Sequence, residues 1–181
     1  MDPVMNSTRR LHIGAKEREE GWEVFNILPS AIVDHLGDAR DLSRFADGTF
    51  GELYASHVLE HFDYREEVGA VLVEWKRVLA PGGKIYISVP NLDVLCYLFS
   101  HPEVASLEDK YRIMRVMFGG HMDRYDYHNT GFFPELLYDC LATAGFETIT
   151  TEDIFDIFAD GSSIKCAGIN LSLNMTALKP L

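Results

Sequence analysis

The chain has 181 residues, a formal net charge of −12, 47% hydrophobic residues and 24% charged ones. That length suits one domain, and the mix is globular, which excludes wholesale disorder and collagen-like repeats. So acidic a chain sets up no overall field to gather phosphate backbones, so neither nucleic acid nor an anionic membrane is an expected partner.

The first nine residues read as a flexible arm and 10–181 as a single domain. No apolar stretch before Arg9-Arg10 has the length of a secretory signal. The longest apolar run, Val94 to Phe99, falls far short of the ~18 residues of a membrane span. A cytoplasmic protein is the expectation. Cys96, Cys140 and Cys166 stand too far apart for a disulfide framework or a CxxC metal knuckle, and are expected to be buried reduced thiols.

Short β-rich runs at Leu11–Ile13, Trp22–Ile27, Ile32–Leu36, Phe50–Ser56 and Lys84–Val89 alternate with helical patterns. Only the eight residues Gly14–Gly21 separate the first run from the second. A parallel crossover ordinarily takes about 10–12 or more, so the first crossover helix is shortened or absent. One face of the sheet then lacks its cover. Unless the late helices fold back over it, a second copy of the chain is the simplest shield, and a homodimer is predicted.

After Asp63, a plausible cap, Val68, Val71, Leu72, Trp75, Val78 and Leu79 make one apolar stripe, and Pro81-Gly82-Gly83 ends the helix. Residues 96–133 read as a substrate lid beside the strand ends, containing a helix at Leu107–Phe118 and the run His121, Asp123, Tyr125, Asp126, Tyr127, His128. No spacing there is diagnostic of a metal, and none is assigned. A further helix starts near Pro134 and stops at Gly145. Ile169, Leu171, Leu173, Met175 and Ala177 then alternate with polar residues, which predicts a strand with one buried face, paired antiparallel with Phe146–Thr151. The fold class is α/β: a doubly wound, Rossmann-like, mostly parallel sheet ending in an antiparallel hairpin.

In such a sheet ligands sit outside the carboxyl ends of the strands. The residues there are Gly14-Ala15-Lys16, Asn26, Asp38-Ala39, Ser56-His57 and Pro90-Asn91. His57, Glu60 and His61, at i, i+3 and i+4 of a helix start, share a face and indicate a polar pocket.

Leu11-His12-Ile13-Gly14, Gly37-Asp38-Ala39, Ser56-His57-Val58-Leu59-Glu60-His61 and Pro81-Gly82-Gly83 follow in order. Together they resemble a class I S-adenosylmethionine-dependent methyltransferase of the type 11 group. The resemblance implies S-adenosylmethionine as cofactor, with Asp38 and Ala39 at the adenine, Asn26 at the ribose, Gly14 and Ala15 at the methionine end, and Ser56 and His57 near the sulfonium. It also implies polysaccharide modification, with a small-molecule or saccharide hydroxyl as acceptor. His57 and then His128 are the candidate general bases. Two departures stand out: the usual Gly-x-Gly is Gly14-Ala15-Lys16, and the usual ribose acid is Asn26. Lys16 or Arg18 offers a positive charge where the helix terminus is missing, although a solvated loop explains both. The rival readings are a binding subunit on the same fold that has lost catalysis, and a Rossmann oxidoreductase, which lacks its GxGxxG and Tyr-x-x-x-Lys.

Overall fold

The computed structural model describes residues 8–181 except 103, 105 and 167. Its elements run β1 (Arg10–Ile13), β2 (Glu23–Asn26), β3 (His35–Leu36), β4 (Phe50–Ser56), α1 (Val68–Val78), β5 (Leu79–Pro90), α2 (Leu92–Ser100), α3 (Leu107–Phe118), α4 (Pro134–Thr143), β6 (Glu147–Glu152), β7 (Lys165–Cys166), β8 (Ile169–Asn170) and β9 (Ser172–Leu178). Seven strands form one sheet in the order β3-β2-β1-β4-β5-β9-β6. β1 to β5 pair in parallel, and β9 lies antiparallel between β5 and β6. β7 and β8 make a separate two-stranded hairpin.

Between β1 and β2 the described chain forms only turns, as the short crossover requires. The next two connections lack α-helices as well. Side chains brace these connections instead. Arg18 reaches Asp34 and the Ile32 carbonyl; the Trp75 indole donates to Ala39 O at 2.8 Å. Arg77 of α1 binds the carbonyls of Leu42 and Phe45 and the carboxylate of Asp47.

Strand alternation divides the core. Leu11, Ile13, Phe25, Leu53, Ile85, Ile87, Leu173 and Met175 face the apolar stripes of α1 and α4 in one main cluster. The opposite face carries His12, Trp22, Tyr54 and Tyr86. There the cover comes from the chain itself: Phe155 and Phe158, from the segment between β6 and β7, pack edge-on and tilted against these rings. The bare surface on which the homodimer expectation rested is therefore filled from within the chain, opposite the face on which α1 and α4 pack.

Other expectations shift for identifiable reasons. Leu79 leaves the helical stripe because α1 ends at Val78, and the chain runs extended from there, with Leu79 pairing beside Phe50. Asp63 accepts from the amides of Arg65 and Glu66, capping the turn ahead of α1 rather than α1 itself. Gly145 (φ 84°) follows α4 as expected. Ile169 belongs to the small hairpin, and β9 is buried on both faces, since Ser172, Asn174 and Thr176 are covered too. α2, an element the sequence reading leaves unassigned, joins α3 in a satellite cluster around Leu95, Leu98 and Ile113. Cys96 is exposed, and Cys140 and Cys166 are half-buried, all three free, so the expected burial does not hold. Residues 1–7 of the arm lie outside the described residues, while Arg9 is held by Glu23. No described helix is long and apolar enough to cross a membrane.

His12 lies inside the aromatic layer, 5% exposed, with its Nδ1 unpartnered. Burial lowers its pKa to about 4, against a partial offset from Asp160. A group that binds its proton more weakly when folded than when unfolded loses stability as pH falls from the unfolded pKa to the folded one. Between about pH 6.5 and 4 the protein should lose about 3 kcal/mol on this account. Urea unfolding across that range measures it: His12→Phe, which keeps the ring packing, should flatten that part of the acid limb, and an unchanged slope would assign the loss to other groups.

Candidate functional site

The carboxyl ends of β1 to β5 bring the expected residues to one rim. Gly14 has φ +78°, and a Cβ there would lie 2.5 Å from Val58 Cγ2, so the glycine admits a close approach, which Val58 takes up. Buried Ala15 accepts through its carbonyl from Asn26 Nδ2 at 3.0 Å, and Asn26 Oδ1 accepts from the Leu28 amide. This amide therefore ties the ends of β1 and β2 together and keeps one N–H and one lone pair in reserve. Lys16 is exposed. Arg18 is committed to Asp34, so it does not supply the charge missing at the rim.

Asp38 is held by Arg40, whose guanidinium and amide approach both carboxylate oxygens at 2.6–3.1 Å. That pairing keeps the carboxyl below the usual range. Arg40 also reaches Glu67, so it has a second anchor. Ala39 stays fixed by Trp75.

The ends of β4 and β9 hold a denser cluster. His57, with φ 54°, occupies the left-handed region that non-glycine residues seldom adopt, a strain that recurs at functional sites. Its ring lies against Gly161, where a Cβ would come within 2.4 Å of Cδ2. Ser172 Oγ donates its one proton to the Gly161 carbonyl at 2.7 Å, so it accepts from His57 Nε2, 2.9 Å away. The other ring nitrogen, Nδ1, is 3.3 Å from Glu60 Oε1. Both nitrogens face acceptors, which makes His57 an imidazolium. Burial opposes that charge, but the nearby Glu60 carboxylate outweighs it and raises the His57 pKa above its ordinary value.

Glu60 is fully buried, on a 3₁₀ turn at Leu59–His61 rather than a longer helix. Burial pushes its pKa up, and His57, His128 and His61 more than reverse this, leaving it ionised. His128 Nε2 lies 3.7 Å from Glu60 Oε1, and its ring meets that of His61 edge-on at 4.9 Å. Burial lowers the His128 pKa, only partly offset by Glu60, so this imidazole is neutral near pH 7. The segment carrying it is pinned to the turn: the Asn129 and Thr130 amides donate to Glu60 O, and the Thr130 hydroxyl to Phe62 O. The two candidate histidines thus flank one carboxylate. Glu60 and His61 are legible as a polar pair in the sequence, but their meeting with His128 is not. A cavity of about 920 Å³ opens at the opposite rim, by Arg10, Trp22 and His35 at the amino ends of β1 to β3.

The type 11 methyltransferase-domain family model matches residues 11–87. No curated protein matches the chain. Among solved structures, a SAM-dependent methyltransferase from Methanosarcina mazei aligns with a TM-score of 0.60 and 16% identity over 98% of this chain and 95% of its own. A possible exported protein from Bordetella parapertussis aligns with a TM-score of 0.60 and 14% identity over 98% of this chain, which spans 64% of that one. A phosphoethanolamine N-methyltransferase from Haemonchus contortus, solved with S-adenosylmethionine, gives 0.54 and 15% over 99% of this chain, which spans 50% of that one.

Gly14→Ala should cost about 1–3 kcal/mol, from the positive φ and from the collision with Val58. In the double variant with Val58→Ala the collision disappears and the backbone strain stays, so thermal melts should show the two changes coupled. Simple additivity would mean that Val58 is not the obstacle. Residues 11–87 are thus similar to a methyltransferase-domain family, and over nearly its whole length the chain shares its fold with SAM-dependent methyltransferases.

Proposed function

We propose that the protein is an S-adenosylmethionine-dependent methyltransferase acting on a small-molecule or saccharide hydroxyl. The observation that carries this reading is the convergence of Gly14-Ala15, Asn26, Asp38-Ala39 and Ser56-His57 on one rim of a sheet whose parallel strands lie almost wholly within residues 11–87, which match a methyltransferase-domain model. The cofactor spans the ends of β1 to β4. Asn26 offers its spare lone pair to the ribose, and Asp38 takes the adenine amine once Arg40 turns to Glu67. Ala39, held by Trp75, lines the base, and the Gly14-Ala15 turn faces the methionine end, with exposed Lys16 beside its carboxylate. The acceptor lies on the β4 and β9 side, under a lid formed by residues 96–133.

Methyl transfer is an in-line displacement: the acceptor oxygen bonds to the methyl carbon as the carbon–sulfur bond breaks, and the hydroxyl proton must leave. His57, already carrying both protons, does not take it. Its work is to compensate Glu60 and hold the ends of β4 and β9 together. The proton goes to the neutral side of the cluster, at His128. A second reading, a binding subunit without catalysis, draws on Val58 filling the approach to Gly14.

Calorimetric titration with S-adenosylmethionine and S-adenosylhomocysteine separates the two, since no heat of binding would overturn the enzyme. Asp38→Ala should weaken the cofactor by about 1–3 kcal/mol through loss of a charged acceptor, and titration curves equal to the parent's would remove Asp38 from the adenine site. Against a panel of sugar hydroxyls, His128→Ala should slow turnover by roughly 10²–10⁴-fold at nearly constant cofactor affinity. Full turnover in that variant would leave the step to positioning.

A further inference from the structure

Glu60, His61 and His128 each offer one ligand atom, and these atoms all lie within 4.8 Å of one another. The grouping alone is weak, but three further features point to a ligand. Glu60 is fully buried, and neither of its oxygens accepts a hydrogen bond, although His57 and His128 stand at ion-pair distance. His61 donates from Nδ1 to the Tyr127 carbonyl at 2.9 Å, which leaves Nε2 as its ligand nitrogen. Metal-bound histidines ordinarily carry this kind of outer partner, and ligating carboxylates are themselves hydrogen-bonded. His57, with Nδ1 3.3 Å from Glu60 Oε1, stands where such a partner belongs.

We propose that Glu60, His61 and His128 form a binding site for a divalent ion of the zinc class. Two imidazoles and one carboxylate are a three-ligand set that suits zinc and leaves a fourth position open. Tetrahedral bonds of about 2.0–2.2 Å place ligand atoms roughly 3.5 Å apart, so the 3.7 Å between Glu60 Oε1 and His128 Nε2 is already near the closed value. The remaining approach, from 4.8 Å, falls within the reach of a half-buried side chain such as His61. The open position takes water or an oxygen ligand. This deepens the functional reading of the cluster and rests on it for the acceptor: an acceptor hydroxyl bound at that position is acidified by the ion, and His128 is then a ligand rather than the base.

The test reads metal without cofactor or acceptor, so it stands apart from the methyl-transfer reading. The chelator-stripped protein is titrated with Zn²⁺ by calorimetry, and bound zinc per chain is counted after dialysis. The expected result is one zinc per chain, bound at least 100-fold more weakly in His61→Ala and in His128→Ala but unchanged in His101→Ala. Neither ligand substitution removes the buried Glu60 carboxylate, whose loss risks the folded state, and circular dichroism checks that both variants fold. No stoichiometric zinc, or equal affinity in the two variants, overturns the site. Loss of turnover in His128→Ala from a protein that binds no zinc overturns it too, and returns His128 to the role of base.

Discussion

Phe158 sits on His12, Trp22 and Tyr54 with ring centroids 4.2, 5.3 and 4.5 Å apart, and the rest of the structure depends on that contact. With no α-helix between the first four strands, the segment that carries Phe155 and Phe158 covers this face of the sheet at β1 and β4. Aromatic rings bury a large area for few residues and gain from edge-on packing, which lets a short irregular segment do a helix's work. The same segment then delivers Asp160 to the Tyr54 hydroxyl, Ser162 to the Asn174 amide and Gly161 to the ring of His57. Closing the core and completing the site are thus one event. A loosened segment would expose the sheet and release His57 together.

The stripped crossovers impose a second constraint. A loop without a helix leaves its backbone groups to be satisfied by side chains, and buried polar groups tolerate few failures. α1 meets this demand from one element: Trp75 secures Ala39, Glu74 accepts from the Leu42 amide, and Arg77 gathers the carbonyls of Leu42 and Phe45. The loop that follows Asp38 is therefore as rigid as the helix beneath it. Asn26 plays the matching part between β1 and β2, where an acid would have no amide hydrogen to give Ala15 O. The amide at position 26 thus has a structural reason.

Local pattern made much of this legible. The five parallel strands, α1, α4, the antiparallel end strand and the missing first helix all follow from periodicity and chain length between Ile13 and Trp22. What escaped is what local pattern does not encode. Phe155 and Phe158 lie in the short run Ile154-Phe155-Asp156-Ile157-Phe158-Ala159, which is neither a long helical stripe nor a strand alternation, so their cover of the opposite face is invisible without the fold. Leu79 fits a helical stripe and a strand equally well, and pairing beside Phe50 decides it. At the rim, the positions of His57 and Asp38 were readable while their partners were not. The charge of His57 is set by a serine of β9 and a glycine of the late segment, and the availability of Asp38 by Arg40 and Glu67.

The burial of Glu60 carries the argument a step further. Removing an ionised carboxylate from water costs several kcal/mol even after relaxation, and a single partner seldom repays it. Here His57 supplies one positive charge, and yet two more imidazoles stand beside the same carboxylate: His61 on its own turn, and His128 from a different stretch of chain, held by backbone bonds of Asn129 and Thr130 that serve no helix or sheet. Stability alone would be met more simply by an apolar residue at position 60, since well-packed hydrophobic replacements of buried ion pairs are often neutral or better. An arrangement that keeps the acid, compensates it and still surrounds it with imidazole nitrogens is suited to something that arrives and leaves, a proton or a cation. The strained φ of His57 points the same way, because strain of that kind persists only where the surroundings hold it in place.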